Sequence, residues 1–450
     1  MGILSSLTRE QKEAVGLLQI GTFLEYFDLM LYVHMAVLLN ELFFPKTDPH
    51  TAALLTAFAF CSTFVLRPFG ALIFGYIGDQ IGRKTTVIIT TIMMSISCVI
   101  MANLPTYAQI GISSAWIVTI CRVAQGLSSM GEVVGAQIYV TEITKPPCQY
   151  PAVSFISIAS AIGSIMALGV ASLVTHFDFN WRIAFWIGAG IAVVGSMARM
   201  KLRETPEFVD MKRKKQKEIE QYESNEKVKL SKFQRLKKQV QQEKISKKNL
   251  AAYFFINCGW PLSFYLTYMY FNPLLKENYY YSAEDIIFHN FLVSISVFMF
   301  DVLWTFLSYK IHPLKILKGR GMILLIFFCL FPFLIVNTTH HFQIFGLQAF
   351  LLIISLAQMP AASVFIKYFP VFKRFTATSF TYAVTRALMY IITSFGLVYL
   401  TEAFGHYGLW LIMLPVTILF LWGVNHFVKL EKASGNFPSS RKPDGLNIKC

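Results

Sequence analysis

Twelve apolar blocks recur along the chain, each roughly 18–28 residues long, at about 16–41, 52–77, 86–103, 112–141, 151–176, 182–199, 250–275, 286–310, 321–337, 343–367, 375–401 and 405–428. A helix rises about 1.5 Å per residue, so blocks of this length match the roughly 30 Å hydrocarbon core of a bilayer. Composition agrees. Only 14% of residues are charged, against about a quarter in soluble proteins, and mean hydropathy is +0.52. The expected fold class is an all-α integral membrane protein with twelve transmembrane helices.

Loop charge sets the orientation. One set of loops carries Arg83, Lys84, Lys310, Lys315, Lys318, Arg320, Lys367, Lys373 and Arg374, and both terminal segments share their side. The opposite loops hold Lys46, Lys276 and Glu277, with no Lys or Arg from Leu104 to Ala115 or from Asn337 to Gln343. By the positive-inside rule the basic side and both termini are cytoplasmic. One long basic interruption, Lys201 to Lys248, contains "MKRKKQKEIEQYE" and reads as a helical connector lying against anionic headgroups rather than a nucleic-acid site. The chain thus divides into a six-helix half (1–199), a basic linker (200–249), a second six-helix half (250–429) and a tail (430–450).

Cysteine adds little: Cys61, Cys98, Cys121, Cys258 and Cys329 fall inside spans, Cys148 and Cys450 fall on the basic side, and none has metal-type spacing. The N-terminus has no small-x-small cleavage site, and its first apolar run is too long for a signal peptide. No phosphate-binding Gly-x4-Gly-Lys-Ser/Thr loop and no nucleophile–base pair occurs, so neither ATP-driven transport nor an enzyme is expected.

Between spans two and three lies "GYIGDQIGRK", a compact charged hinge with Gly75, Gly78, Asp79, Gly82, Arg83 and Lys84. A plain water-facing turn needs polarity but not this spacing. The segment resembles the signature loop of the major facilitator superfamily, whose acid and basic residues lock the cytoplasmic ends of two six-helix halves. Five further segments, "FLEYFDLMLY", "LPTYAQIGI", "CRVAQGLSSMGEVVGA", "WRIAFWIG" and "LRETPEF", are similar to the metabolite:proton symporter branch, which includes proline/betaine, α-ketoglutarate and citrate carriers. The resemblance covers nearly the whole first half. Gln80 stands where the family has Arg, and the second-half copy of the hinge, "LSYKIHPLKILKGRG", has no Asp and no glycine ladder. A Pro-x-x-x-Arg turn is kept before span eleven in "FPVFKRFTA".

Charged residues inside spans cost at least ~2.5–3.5 kcal/mol each on insertion scales, so each must face a cavity or a partner. Glu25 and Asp28 lie mid-span three residues apart, on one helix face. Arg67 lies in span two, and Arg122 and Glu132 in span four, where the resemblance places the family's coupling motif. Asp301 and Arg386 lie halfway through their spans, either as a mutually neutralising pair or as site residues. In span seven, "NCGWPLSFYLTYMYFNP" predicts a helix broken at Asn257, Gly259 and Pro261, with Trp260, Tyr265 and Tyr268 either packing at a kink or lining a cavity. Aromatic faces attract quaternary ammonium groups.

The resemblance and these charges together imply a secondary active transporter of the bacterial inner membrane, functioning as a monomer without cofactor or metal. It would symport protons (on Glu25, Asp28 or Glu132, tuned by Arg122) with a small carboxylate-bearing solute held by Arg67 or Arg386. A zwitterionic osmolyte, proline or glycine betaine, comes first. The alternatives are a di- or tricarboxylate, or a sensor that kept the fold without turnover.

Overall fold

The computed structural model describes residues 7–34, 39, 42–44, 64–176, 180–226 and 244–437. Among these, helices follow the apolar blocks. The first half runs Arg9–His34, Arg67–Gln80, Arg83–Asn103, 112–143, Gln149–His176 and Arg182–Arg199. The second runs 247–278, Ala283–Lys310, Pro313–Val336, His341–Ile353 with Ala362–Lys367, 371–404 and Trp410–Ala433. Among the described residues six helical stretches are long and apolar enough to cross a membrane by length and composition. A separate polar helix, Pro206–Glu226, lies in the linker.

Many Ser and Thr hydroxyls inside the spans are satisfied by their own helices. Thr91 Oγ1 donates to Val87 O at 2.7 Å, Thr381 Oγ1 to Ala377 O at 2.7 Å and Thr417 Oγ1 to Met413 O at 2.7 Å. Such back-bonding to the i−4 carbonyl lets a buried hydroxyl reside where no water can reach it. Span eight is capped by a side chain at its start: Ser282 Oγ accepts from Asp285 N while Asp285 accepts from Ser282 N.

Each half has its own apolar core. Leu262, Leu266, Phe328, Phe331 and Phe365 anchor the second, and Phe27, Leu31, Phe185 and Met101 the first. A smaller cluster joins them, placing Ala71, Val134 and Ile138 against Ile366, Phe375 and Tyr382. The seam between the halves is therefore packed by apolar side chains as well as by charge. Cys98, Cys121 and Cys258 are buried free thiols, whereas Cys148 is disulfide-bonded.

Three spans depart from the sequence expectation. The ninth begins at Pro313 rather than at 321, because Pro at the first helical position costs no backbone hydrogen bond. Arg320, expected in a water-facing loop, is consequently a buried helix residue, 5% exposed. The seventh span is not broken at Asn257–Pro261: the helix continues through Pro261 to Phe264, then widens into a π-helical turn at Tyr265–Tyr270. The tenth, expected to be continuous, is helical over His341–Ile353 and Ala362–Lys367 with an irregular stretch between, where Ser355 turns its carbonyl to Arg320 at 2.7 Å.

Candidate functional site

At the basic end of the seam the hinge closes against span eleven. Asp79, 1% exposed, accepts hydrogen bonds from Phe375 N at 2.9 Å and Thr376 N at 2.8 Å. These amides lie near the N-terminal end of the helix starting at Val371, where the helix dipole favours a negative charge. Two glycines allow the approach. A Cβ on Gly75 would sit 2.7 Å from the Thr376 backbone, and one on Gly78 would sit 2.4 Å from the Phe375 ring. Gly82, at φ 154°, turns the chain into span three, and a Cβ there would meet Glu204 Oε2.

Arg83 is wholly buried and reaches both halves. Its guanidinium donates to Gly78 O, to Asp79 Oδ1 at 3.3 Å, to Glu142 Oε1 at 3.2 Å and, across the seam, to Val371 O at 2.6 Å. Glu142 also accepts from Arg374 Nη1 of span eleven at 2.9 Å and from Thr205 Oγ1 at 2.5 Å. The segment after span six completes the closure. Glu207 pairs with Arg374 at 3.0 Å, Glu204 Oε1 accepts from Arg83 N at 2.9 Å, and Phe208 lies under the Arg83 guanidinium. Lys84 contributes its backbone N–H to Glu204 at 3.3 Å. A carboxylate sharing two guanidiniums and a hydroxyl has its lone pairs satisfied, which a buried ion needs to be tolerated. Glu142 was not among the gate residues expected from sequence, although an acid at the basic-side end of span four, the side that also carries Arg83, was the available signal.

Deeper in the first half, the two acids of span one take different partners. Asp28 Oδ2 lies 3.0 Å from Arg122 Nη1, with Cys98 Sγ 3.6 Å from its other oxygen and Gln125 Oε1 accepting from Arg122 at 2.9 Å. Arg122 also stacks over Tyr32 at 4.0 Å. Glu25 lies 3.6 Å from Arg67, and Arg67 lies over Phe64 at 4.6 Å. All four ions are at most 4% exposed. The Glu132 backbone forms part of a π-helical turn at Gly131–Gly135; its side chain lies outside the described residues.

In the second half Asp301 and Arg386 do not neutralise each other. Asp301 has Arg320 as its electrostatic partner and Tyr268 as a neighbour. Arg386 lies over the Tyr382 ring at 3.5 Å and within electrostatic reach of Tyr26, Tyr390 and Tyr253. Among the described residues no carboxylate lies within 4.0 Å of it, whereas Arg67, Arg83, Arg122 and Arg374 each have one. From this cation an aromatic row crosses the seam. Tyr390 is 4.7 Å from Phe64 and 6.2 Å from Phe264, which is 5.1 Å from Tyr268 and 6.5 Å from Trp260. Trp260, Phe264 and Tyr268 share one face at four-residue spacing. Tyr265 does not join them; it packs against the core of the second half. Sequence reasoning missed Tyr26, Phe64, Phe264, Tyr382 and Tyr390. Tyr382 and Tyr390, four residues either side of Arg386, were legible as its face.

Residues 18–394 match the Major Facilitator Superfamily. The chain belongs to that family. It is 33% identical over 204 residues to the proline/betaine transporter of Salmonella typhimurium, covering 44% of this chain and 41% of that protein. Over 209 residues it is 35% identical to the inner membrane metabolite transport protein YhjE of Escherichia coli, covering 44% and 48%. The match to these curated relatives therefore spans less than half of their length. Among solved structures, the proton:xylose symporter XylE superposes with a TM-score of 0.72 at 16% identity, covering 93% of this chain and 95% of that one. The human organic anion transporter MFSD10 does so with 0.66 at 13% identity, covering 94% and 100%. Both likenesses show the shared fold: twelve transmembrane helices in two six-helix halves. The chain is therefore a multi-pass membrane protein of a transporter family.

Proposed function

We propose that the chain is a proton symporter for a small solute carrying one carboxylate, with a zwitterionic osmolyte such as proline or glycine betaine as the substrate. The observation that carries this reading is Arg386, a buried cation at the seam flanked by tyrosines and without an acidic partner among the described residues. A buried cation is stabilised by an anion, and a solute carboxylate arriving at the seam supplies one. Among the described residues of the seam Arg386 is the one such cation, since Arg67 and Arg122 are each matched by an acid. That stoichiometry favours a zwitterion over a dicarboxylate, and the row Tyr390–Phe264–Tyr268–Trp260 provides faces for its ammonium group. The names of the partial relatives point the same way.

Protons are carried by Asp28 or Glu25. Each acid is buried in an ion pair with an arginine, so protonation weakens that pair and frees the arginine to move. Glu132 is the further candidate acid of span four. The basic face with the Asp79–Arg83–Glu142 network is cytoplasmic, in a bacterial inner membrane, and the arrangement here is closed on that side. The halves divide at 1–199 and 250–429, joined by the linker 200–249, and a single chain is the working unit. Alternation of access then requires this network to open while the opposite end closes.

The test is uptake into proteoliposomes of labelled proline, glycine betaine, succinate and α-ketoglutarate, with and without an imposed pH gradient. Accumulation of proline or betaine only with the acid side outside, and negligible dicarboxylate uptake, supports the reading. Dicarboxylate uptake, or no uptake of any solute by folded protein, overturns it; the latter outcome leaves the sensor.

A further inference from the structure

On the outer wall of the seam an apolar groove of about 740 Å³ runs between spans two, seven and eleven. Its walls are Leu72 and Tyr76 of span two, Leu250 and Phe254 of span seven, and Phe380 and Val384 of span eleven. Leu72, Tyr76 and Phe380 are exposed on the lipid-facing side of the bundle. The groove's polar residues gather at its basic end, where Lys247 and Lys373 stand at the rim beside Gln80. Its floor is the gate itself: Asp79 and Thr376 line it, with the Asp79 oxygens already engaged by Phe375 N and Thr376 N.

Length and polarity define the occupant. From Lys373 to Val384 is eleven residues, about 16 Å of helix. That equals one leaflet of a hydrocarbon core of about 30 Å. A molecule filling the groove is therefore apolar along one leaflet and anionic at the basic end, opposite two lysines. We propose that this groove is a binding site for one anionic phospholipid, its acyl chain along Leu72, Phe254 and Phe380 and its phosphate on Lys247 and Lys373. Because two of its walls belong to opposite halves, the site exists only while spans two and eleven are together. The bound lipid consequently stabilises the closed basic end and links the charge of that leaflet to the gate.

The experiment measures lipid retention by native mass spectrometry of the full chain, in the absence of solute, after incorporation into phosphatidylcholine bilayers with or without phosphatidylglycerol. Two lysines at a surface predict a preference for phosphatidylglycerol of roughly 30-fold. The expected result is one retained phosphatidylglycerol, a preference lost in Lys247→Gln/Lys373→Gln, and retention lost in Ala251→Phe, which fills the groove. Val384→Trp fills it from the opposite wall and replaces Ala251→Phe should that variant not fold. A cysteine at Gln137, under the gate, should react more slowly with a maleimide when phosphatidylglycerol is present. Equal retention of the two lipids by the unsubstituted chain, or retention indifferent to the groove-filling variants, overturns the proposal and leaves ordinary annular lipid.

Discussion

Asp79→Asn tests the gate, and its size follows from the geometry. The carboxylate accepts two backbone N–H bonds across the seam, at 2.9 and 2.8 Å, and stands 3.3 Å from Arg83. Asparagine offers one acceptor oxygen, so one of the two amides is left facing an NH2 group and loses its bond. A hydrogen bond to a charged group contributes about 1.5–3 kcal/mol and a neutral one about 1 kcal/mol, so losing one bond and weakening the other costs roughly 3 kcal/mol. Both amides belong to the opposite half, so the whole loss falls on the closed arrangement and shifts the open:closed ratio by roughly 100-fold. The reporter is a cysteine replacing Gln137, which is 3% exposed and lies 3.4 Å from Gln358 of the other half. With the other reactive cysteines replaced, its labelling by a membrane-impermeant maleimide from the basic side follows the open fraction. Labelling should accelerate by up to roughly that factor, until the open form predominates, while proton-driven uptake slows. An acceleration of less than about threefold, equivalent to about 0.6 kcal/mol, would show that Asp79 does not hold the seam.

Further outcomes are expected at the other groups. Gly78→Ala places a methyl against the Phe375 ring and should open the same seam, with Phe375→Leu restoring slow labelling by giving the methyl room. Arg386→Gln should abolish solute binding measured by calorimetry, and Arg386→Lys should retain part of it; binding unchanged in Arg386→Gln would move the carboxylate site elsewhere. Asp28→Asn leaves Arg122 buried without its acid and should lower stability by about 3–5 kcal/mol, read as a fall in the thermal midpoint, with Arg122→Gln recovering much of it. In the same variants, gradient-driven accumulation should vanish if Asp28 carries the proton, while exchange of internal for external solute persists. Trp260→Ala should weaken glycine betaine binding by about 0.5–2 kcal/mol, the range of a cation–π contact, and leave proline nearly unaffected.

The sequence by itself determined the architecture. Span number follows from where apolar runs match the thickness of a bilayer, and the basic face from where Lys and Arg fall between those runs, both one-dimensional properties. The hinge was legible for a related reason: Gly75, Asp79 and Arg83 act within one turn and its flanks, so their spacing is visible along the chain. The intramembrane charges were legible as a set, because each is costly wherever it points. Their pairing was not. Glu25 and Asp28 share a helix face, yet one meets Arg67 of span two and the other Arg122 of span four. Asp301 finds Arg320, which the apolar pattern placed in a loop, and Arg386 is left among tyrosines from both halves. Glu142 joins Arg83 to Arg374, 232 residues further along the chain. These choices depend on how helices rotate and cross, which burial of apolar faces against distant spans decides. Only the tertiary structure could separate the arginines matched by an acid from Arg386, which has no carboxylate within ion-pair distance among the described residues.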